Sequence, residues 1–198
     1  YNSCASSLTK GFSAGGDVGP ALTNFINSFE LASEGNAADF GDLNNSLKKG
    51  AGLSSSIRGL FGGGYTPTLL NVIDYITIAS TGNATDFGDS TSARAYLSGF
   101  SSALRGCFAG GTNPSYVNII DYITIASTGN ATDFGDLTVS RTYLGATSSN
   151  VRGVIGGGQN SPSGSWVYQN VMDYVTIATT GDAADFGDLT STRGYGPI

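Results

Sequence analysis

The tetrapeptide Asp-Phe-Gly-Asp occurs four times in 198 residues, at 39–42, 86–89, 133–136 and 185–188, with spacings of 47, 47 and 52. A fixed period of this length marks an array, in which each unit is one supersecondary piece that buries its apolar face against its neighbours. The repeat is wider than the tetrapeptide. Residues 71–89 (NVIDYITIASTGNATDFGD) and 118–136 (NIIDYITIASTGNATDFGD) match at 18 of 19 positions; 170–188 is a close variant and 24–42 a degenerate one. Upstream of each lies a basic residue, a Gly and then a glycine cluster: Lys10-Gly11 with Gly15-Gly16, Arg58-Gly59 with 62–64, Arg105-Gly106 with Gly110-Gly111, Arg152-Gly153 with 156–158. Downstream come Arg94, Arg141 and Arg193. The units read as 1–47, 48–94, 95–141 and 142–193, with 194–198 re-entering the position of the first strand.

Inside a unit the apolar pattern has the period of a strand. Along 73–78, Ile76 and Ile78 share one face and Tyr75 and Thr77 the other. The first unit keeps Phe29 and Leu31 on the Ile face but has Ser28 and Glu30 opposite, so the Ile face is expected to be buried. The stretch 81–84 (TGNA) is turn chemistry, since Gly and Asn tolerate positive φ, and a short return through Phe87 closes a hairpin. The Arg-Gly segment is a further strand ending in a glycine turn, and the stretch with Tyr96, Leu97 and Phe100 is the fourth. No segment carries a helical period, so the expected class is all-β, with four-stranded antiparallel units.

Composition removes several functions. The net charge of −6 and the scatter of nine basic residues disfavour nucleic acid, which needs clustered Lys and Arg to neutralise phosphate. Apolar runs are short and broken by Thr, Asp and Gly, so no membrane insertion is expected. There is no His, which removes the commonest general base, the Ser-His and Cys-His nucleophiles and most zinc sites. Cys4 and Cys107 align with Gly99 or Ala146 and with Phe12, Leu60 or Val154, so both are expected to be small apolar fillers, with a disulfide as the other reading. The sequence starts at Tyr1, as in a processed product or a piece of a longer chain.

The order of these signals resembles the kelch blade. There a double Gly closes one strand, a Tyr follows on the next, a Trp follows the hairpin turn and an Arg opens the next strand; Gly62-Gly63, Tyr75, Phe87 and Arg94 take those places, with Phe for Trp. Unit 1 departs further, with Ser28 at the Tyr position and no Arg after Leu43. The wording of residues 71–89 also resembles repeat arrays in tail-fibre and other structural proteins of marine bacteriophages. The resemblance covers nearly the whole chain and implies a β-propeller of four blades, closed by pairing of its N- and C-terminal strands or completed by another copy.

Five features tempt a functional reading. Asp-Phe-Gly is a kinase metal motif, but the ATP loop and the His-Arg-Asp loop that accompany it are missing. Asn83, Asp86 and Asp89, recurring as Asn130, Asp133 and Asp136 and as Asp182, Asp185 and Asp188, offer oxygen ligands to a Ca²⁺, but their spacing matches no standard Ca²⁺ loop, and Asx-type turns, in which such side chains bond their own backbone, are the preferred reading. No metal or other cofactor is therefore expected. Asn44, Asn83 and Asn130 fit the N-glycosylation acceptor. The Arg58, Arg105 and Arg152 set and the Asp74, Asp121 and Asp173 set read as structural pairs. The loop after each glycine cluster varies most and carries Tyr65, Asn113, Tyr116, Gln159, Asn160, Trp166 and Tyr168. These are the ligand-binding candidates, because exposed aromatics among small polar groups suit sugar rings or a protein anchor, whereas capping the core would leave them no ligand.

The expectation is a non-enzymatic structural or adhesion module of a virion fibre or extracellular filament, self-associating or joined to another structural protein. The alternative is a lectin-like propeller that takes a cell-surface glycan in its variable loops.

Overall fold

The computed structural model describes residues 2–161 and 164–194. Each unit forms its own antiparallel sheet, with strands in chain order across it. The first sheet runs Ser3–Ser6, Lys10–Ala14, Phe25–Glu30, Ala38–Asp42. The second runs Ala51–Ser54, Arg58–Gly62, Val72–Thr77, Thr85–Asp89, and the third Ser98–Ser101, Arg105–Ala109, Ile119–Thr124, Thr132–Asp136. The fourth contains Gly145–Ser148, Arg152–Gly156, Val167–Thr176 and Ala184–Arg193, and gains the short strand Gln159–Asn160. Among the described residues the regular structure is all strand.

Local chemistry sets the turns. Between the first two strands of each sheet, Ser7, Ser55, Ser102 and Ser149 accept the N–H groups two and three residues on, which closes a tight serine turn. After the second strand the glycine cluster takes left-handed φ, as at Gly63 (65°), where a Cβ would lie 2.7 Å from the Arg94 carbonyl oxygen. The last hairpin slips register within Asp-Phe-Gly, so the motif is a β-bulge.

The first strands of units 1 to 4 lie side by side in order. Serine hydroxyls lace them together: Ser54 donates to the Ser6 carbonyl, Ser101 to that of Ser54 (2.7 Å) and Ser148 to that of Ser101 (2.7 Å). The core lies between sheets. Phe12, Phe40 and Leu43 of unit 1 meet Ile76, Ile78 and Ala84 of unit 2. Leu53, Leu60 and Phe87 meet Phe108, Ile123 and Ile125. Phe100, Cys107 and Phe134 meet Ile155, Val175 and Ile177.

This arrangement corrects two expectations. The Ile face is buried in units 2 to 4 but not in unit 1, where Phe29 is 41% and Leu31 53% exposed against 1% for Ile76. Among the described residues no sheet packs against this face of unit 1. Cys107 is a buried filler, but Cys4 is exposed and both thiols are free. In units 2 and 3 the Cys4 position is Gly52 and Gly99, whose absent Cβ atoms would point at the backbone of the preceding first strand. Among the described residues no strand lies on that side of Cys4.

Among the described residues, no pairing joins Ser3–Ser6 to the fourth sheet, and Ala184–Arg193 pairs only with Val167–Thr176. Of the segment expected to re-enter the first-strand position, 195–198 lie outside the described residues.

Candidate functional site

Among the described residues, three other than Gly hold left-handed backbone: Lys49 (φ 65°), Tyr96 (58°) and Tyr143 (57°). They occupy one repeat position, just ahead of the first strands of units 2, 3 and 4. Such a conformation costs an L-residue about 1–2 kcal/mol, so the surroundings must impose it. The preceding residues do so. Lys48, Ala95 and Thr142 form isolated bridges to Tyr65, Thr112 and Gln159, the first residues after the glycine clusters. Tyr96 and Tyr143 then donate their N–H groups to the carbonyls of Lys49 (2.8 Å) and Tyr96 (3.1 Å). The side chains stack in a row: Lys49 Nζ lies 5.5 Å from the Tyr65 ring centre and 4.3 Å from that of Tyr96, whose ring lies 4.1 Å from Tyr143.

Beside this row is a groove of about 880 Å³ between units 3 and 4. Unit 3 contributes Tyr96, Thr138, Val139, Ser140 and the hairpin residues Thr112, Pro114, Ser115 and Tyr116. Unit 4 contributes Thr142, Tyr143, Gln159, Asn160, Ser161 and Trp166. Among the described residues the lining contains no Asp, Glu, Lys or Arg. Gln159 is 2% exposed, and its Oε1 has no hydrogen-bond partner among the described residues. Trp166 is 65% exposed.

Four of the seven loop candidates thus come together: Tyr116, Gln159, Asn160 and Trp166. Asn113 sits in the same hairpin but is not part of the lining. Tyr65 stands at the other end of the row, beyond Lys49. Tyr168 pairs in register with Gln159, but its ring lies against Gly194. Sequence reasoning missed Tyr96 and Tyr143, which look like strand residues. The signal was Lys49 at the same repeat position, a charge that a core position would not accept.

The other candidates have partners that explain them. Asn83, Asn130 and Asp182 accept the backbone N–H of Asp42, Asp89 and Asp136 at 3.0–3.1 Å, tying each unit to the one before. Asp86 and Asp185 accept the N–H two residues on, as Asx turns. No group of three or more His, Cys, Asp or Glu that could hold a metal occurs among the described residues, Asp133 and Asp136 included. Asn44, read as a glycosylation acceptor, donates Nδ2 to Asp74 at 2.6 Å.

The buried ionic groups belong to the joints. Arg94 and Arg141 are fully buried and each reaches the Asp of the next unit, Asp121 and Asp173 (2.8 Å for the second). Arg141 also caps the carbonyls of Gly157, Val171 and Ile155. Unit 1 has Leu47 in place of that Arg, so Asp74 is held by Asn44 instead, and desolvation pushes its carboxyl above the ordinary 3.8. Arg58, Arg105 and Arg152 stack on Tyr75, Tyr122 and Tyr174, and the first two donate to the carbonyls of Ile125 (2.7 Å) and Ile177 (3.1 Å) in the next unit.

No protein-family model and no curated protein matches this sequence.

Proposed function

We propose that the four sheets are blades of a kelch-like propeller arc, and that the chain is a non-enzymatic structural module that joins head to tail with a second copy of itself. A virion fibre or an extracellular filament is the setting this suits. The observation that carries the reading is a mismatch between inner and outer faces. Phe134 is 2% exposed at an internal joint, while Phe186 at the same position of unit 4 is 47% exposed. Phe25, Phe29 and Leu31 of unit 1 are exposed in turn.

The two end faces are halves of the joint that repeats inside the chain. Unit 4 offers Phe186, Arg152, Arg193 and the Asp188 N–H, the positions that grip a following unit elsewhere. Unit 1 offers the Leu31 carbonyl, Asn27 at the Asp position and Asn36 at the position of Asn83. Asn27 forgoes the ion pair but retains an acceptor for Arg193. Large apolar side chains left exposed on a continuous sheet face mark an interaction surface. Such a contact is heterologous, so it propagates into filaments, or into rings where the rotation closes.

The test is electron microscopy of the isolated chain beside Phe186→Glu. Ordered polymers from the parent chain, and dispersed single arcs from the variant, are expected. Dispersed single arcs from both would overturn the reading.

A further inference from the structure

We propose that the groove between units 3 and 4 binds an uncharged oligosaccharide, with pyranose rings stacked on Trp166 and Tyr116 and hydroxyls bound to Gln159 and Asn160. The groove lies within one chain, so this stands apart from head-to-tail assembly.

Three observations carry it. Among the described residues the lining has no ionised side chain, and the molecule is acidic at −6, so this lining offers nothing to neutralise a phosphate, a carboxylate or a sulfate. What the lining offers is aromatic faces interleaved with hydroxyls and amides. A pyranose matches that mixture, with C–H faces that lie on aromatic rings and a rim of groups that both donate and accept.

The second observation is Gln159. Its backbone is fixed by reciprocal bonds with Thr142, both 2.9 Å, and its side chain is buried in the groove wall with no partner for Oε1 among the described residues. A buried acceptor without a donor costs about 1–3 kcal/mol, and a ligand hydroxyl removes that cost.

The third is the stacked tyrosine pair. The bridges ahead of Tyr96 and Tyr143 impose their left-handed backbone, as they do at Lys49 outside the lining, and the result is two adjoining aromatic rings set beside the groove. An extended peptide is the competing occupant. The groove favours the sugar, because its described lining has no charged group to fix a peptide's polarity.

The chain carries its own reporter, since Trp166 is its only tryptophan. The experiment is a panel of neutral gluco-, manno-, galacto- and N-acetylglucosamine oligosaccharides, with proline-rich peptides and sialylated chains beside them. Binding is followed by Trp166 emission. At least one neutral oligosaccharide is expected to give a saturable change. Tyr116→Ala should then raise the Kd about tenfold or more, at an unchanged melting temperature. Trp166→Ala, read by calorimetry, should do the same from an exposed position. A panel silent up to about 10 mM overturns the proposal. So does binding that survives both variants, or binding of the peptides or sialylated chains alone.

Discussion

Arg141 shows how much one side chain carries here. It is fully buried, pairs with Asp173 and caps three carbonyls of the next unit. Truncating one member of a buried pair leaves the other charge without compensation. Arg141→Met is therefore expected to lower stability by about 3–5 kcal/mol in denaturant melts, with much of the loss restored when Asp173→Asn is added. Asp74 is the contrasting case, a buried carboxylate with Asn44 but no Arg. Its pKa is raised in the fold, so its contribution to stability is fully present below the ordinary 3.8 and is lost as pH rises through the raised value. The melting temperature of the parent chain should thus fall relative to Asp74→Asn as pH rises from about 3.8 towards neutrality. At this scale the sequence was partly legible. In sequence, Arg58, Arg105 and Arg152 read beside Asp74, Asp121 and Asp173 as structural pairs, whereas in the fold Asp121 and Asp173 pair with Arg94 and Arg141 across the joints and the first Arg set stacks on Tyr rings. Which Arg reaches which Asp depends on how the sheets stack, which spacing alone does not encode. Tyr96 and Tyr143 were hidden for a similar reason, since a left-handed Tyr has the same letter as a strand Tyr.

At the scale of the element, Asp-Phe-Gly-Asp is a clasp. Its bulge presents a backbone edge to the Thr-Gly-Asn turn of the next unit: Gly129 N–H donates to the Phe87 carbonyl (2.7 Å), and Asp89 N–H to Asn130 Oδ1 (3.0 Å). Gly88 lies so close that a Cβ would come 2.5 Å from the Gly129 carbonyl oxygen. Gly187 has a similar φ, 130° against 141°, but a Cβ there meets nothing within 4 Å. The two positions therefore separate strain from contact. Gly88→Ala and Gly187→Ala share the backbone penalty, so Gly88→Ala should lower the melting temperature by clearly more. Gly187→Ala should instead weaken association between copies. Strands and turns were readable because periodicity, Gly and Asn each act locally. The function of the bulge was not, because its partner lies in the next unit.

Across the whole molecule, the hydrophobic core sits between sheets, so every unit needs neighbours on both sides. Units 2 and 3 have them. Among the described residues nothing covers the Phe29 side of unit 1 or the Phe186 side of unit 4. Burying one such Phe stabilises by about 1.5–3 kcal/mol, and the end faces hold several apolar groups. The all-β repeat was plain from the period, whereas the two open faces were not, because unit 1 carries apolar residues at the same places as the units whose faces are covered. Exposed Cys4 lies on the unit 1 face, its thiol raised by partial desolvation, while Cys107 is buried with its thiol pushed up to about 12 by desolvation, so Cys4 alone should report alkylation there, best at alkaline pH. The most direct measurement is the mass of the isolated chain in solution by light scattering, from about 1 to 100 µM. The account predicts a mass that climbs with concentration beyond one chain, falls to one chain in Phe186→Glu, and is accompanied by protection of Cys4. A mass of one chain throughout, with Cys4 equally reactive in parent and variant, would contradict it.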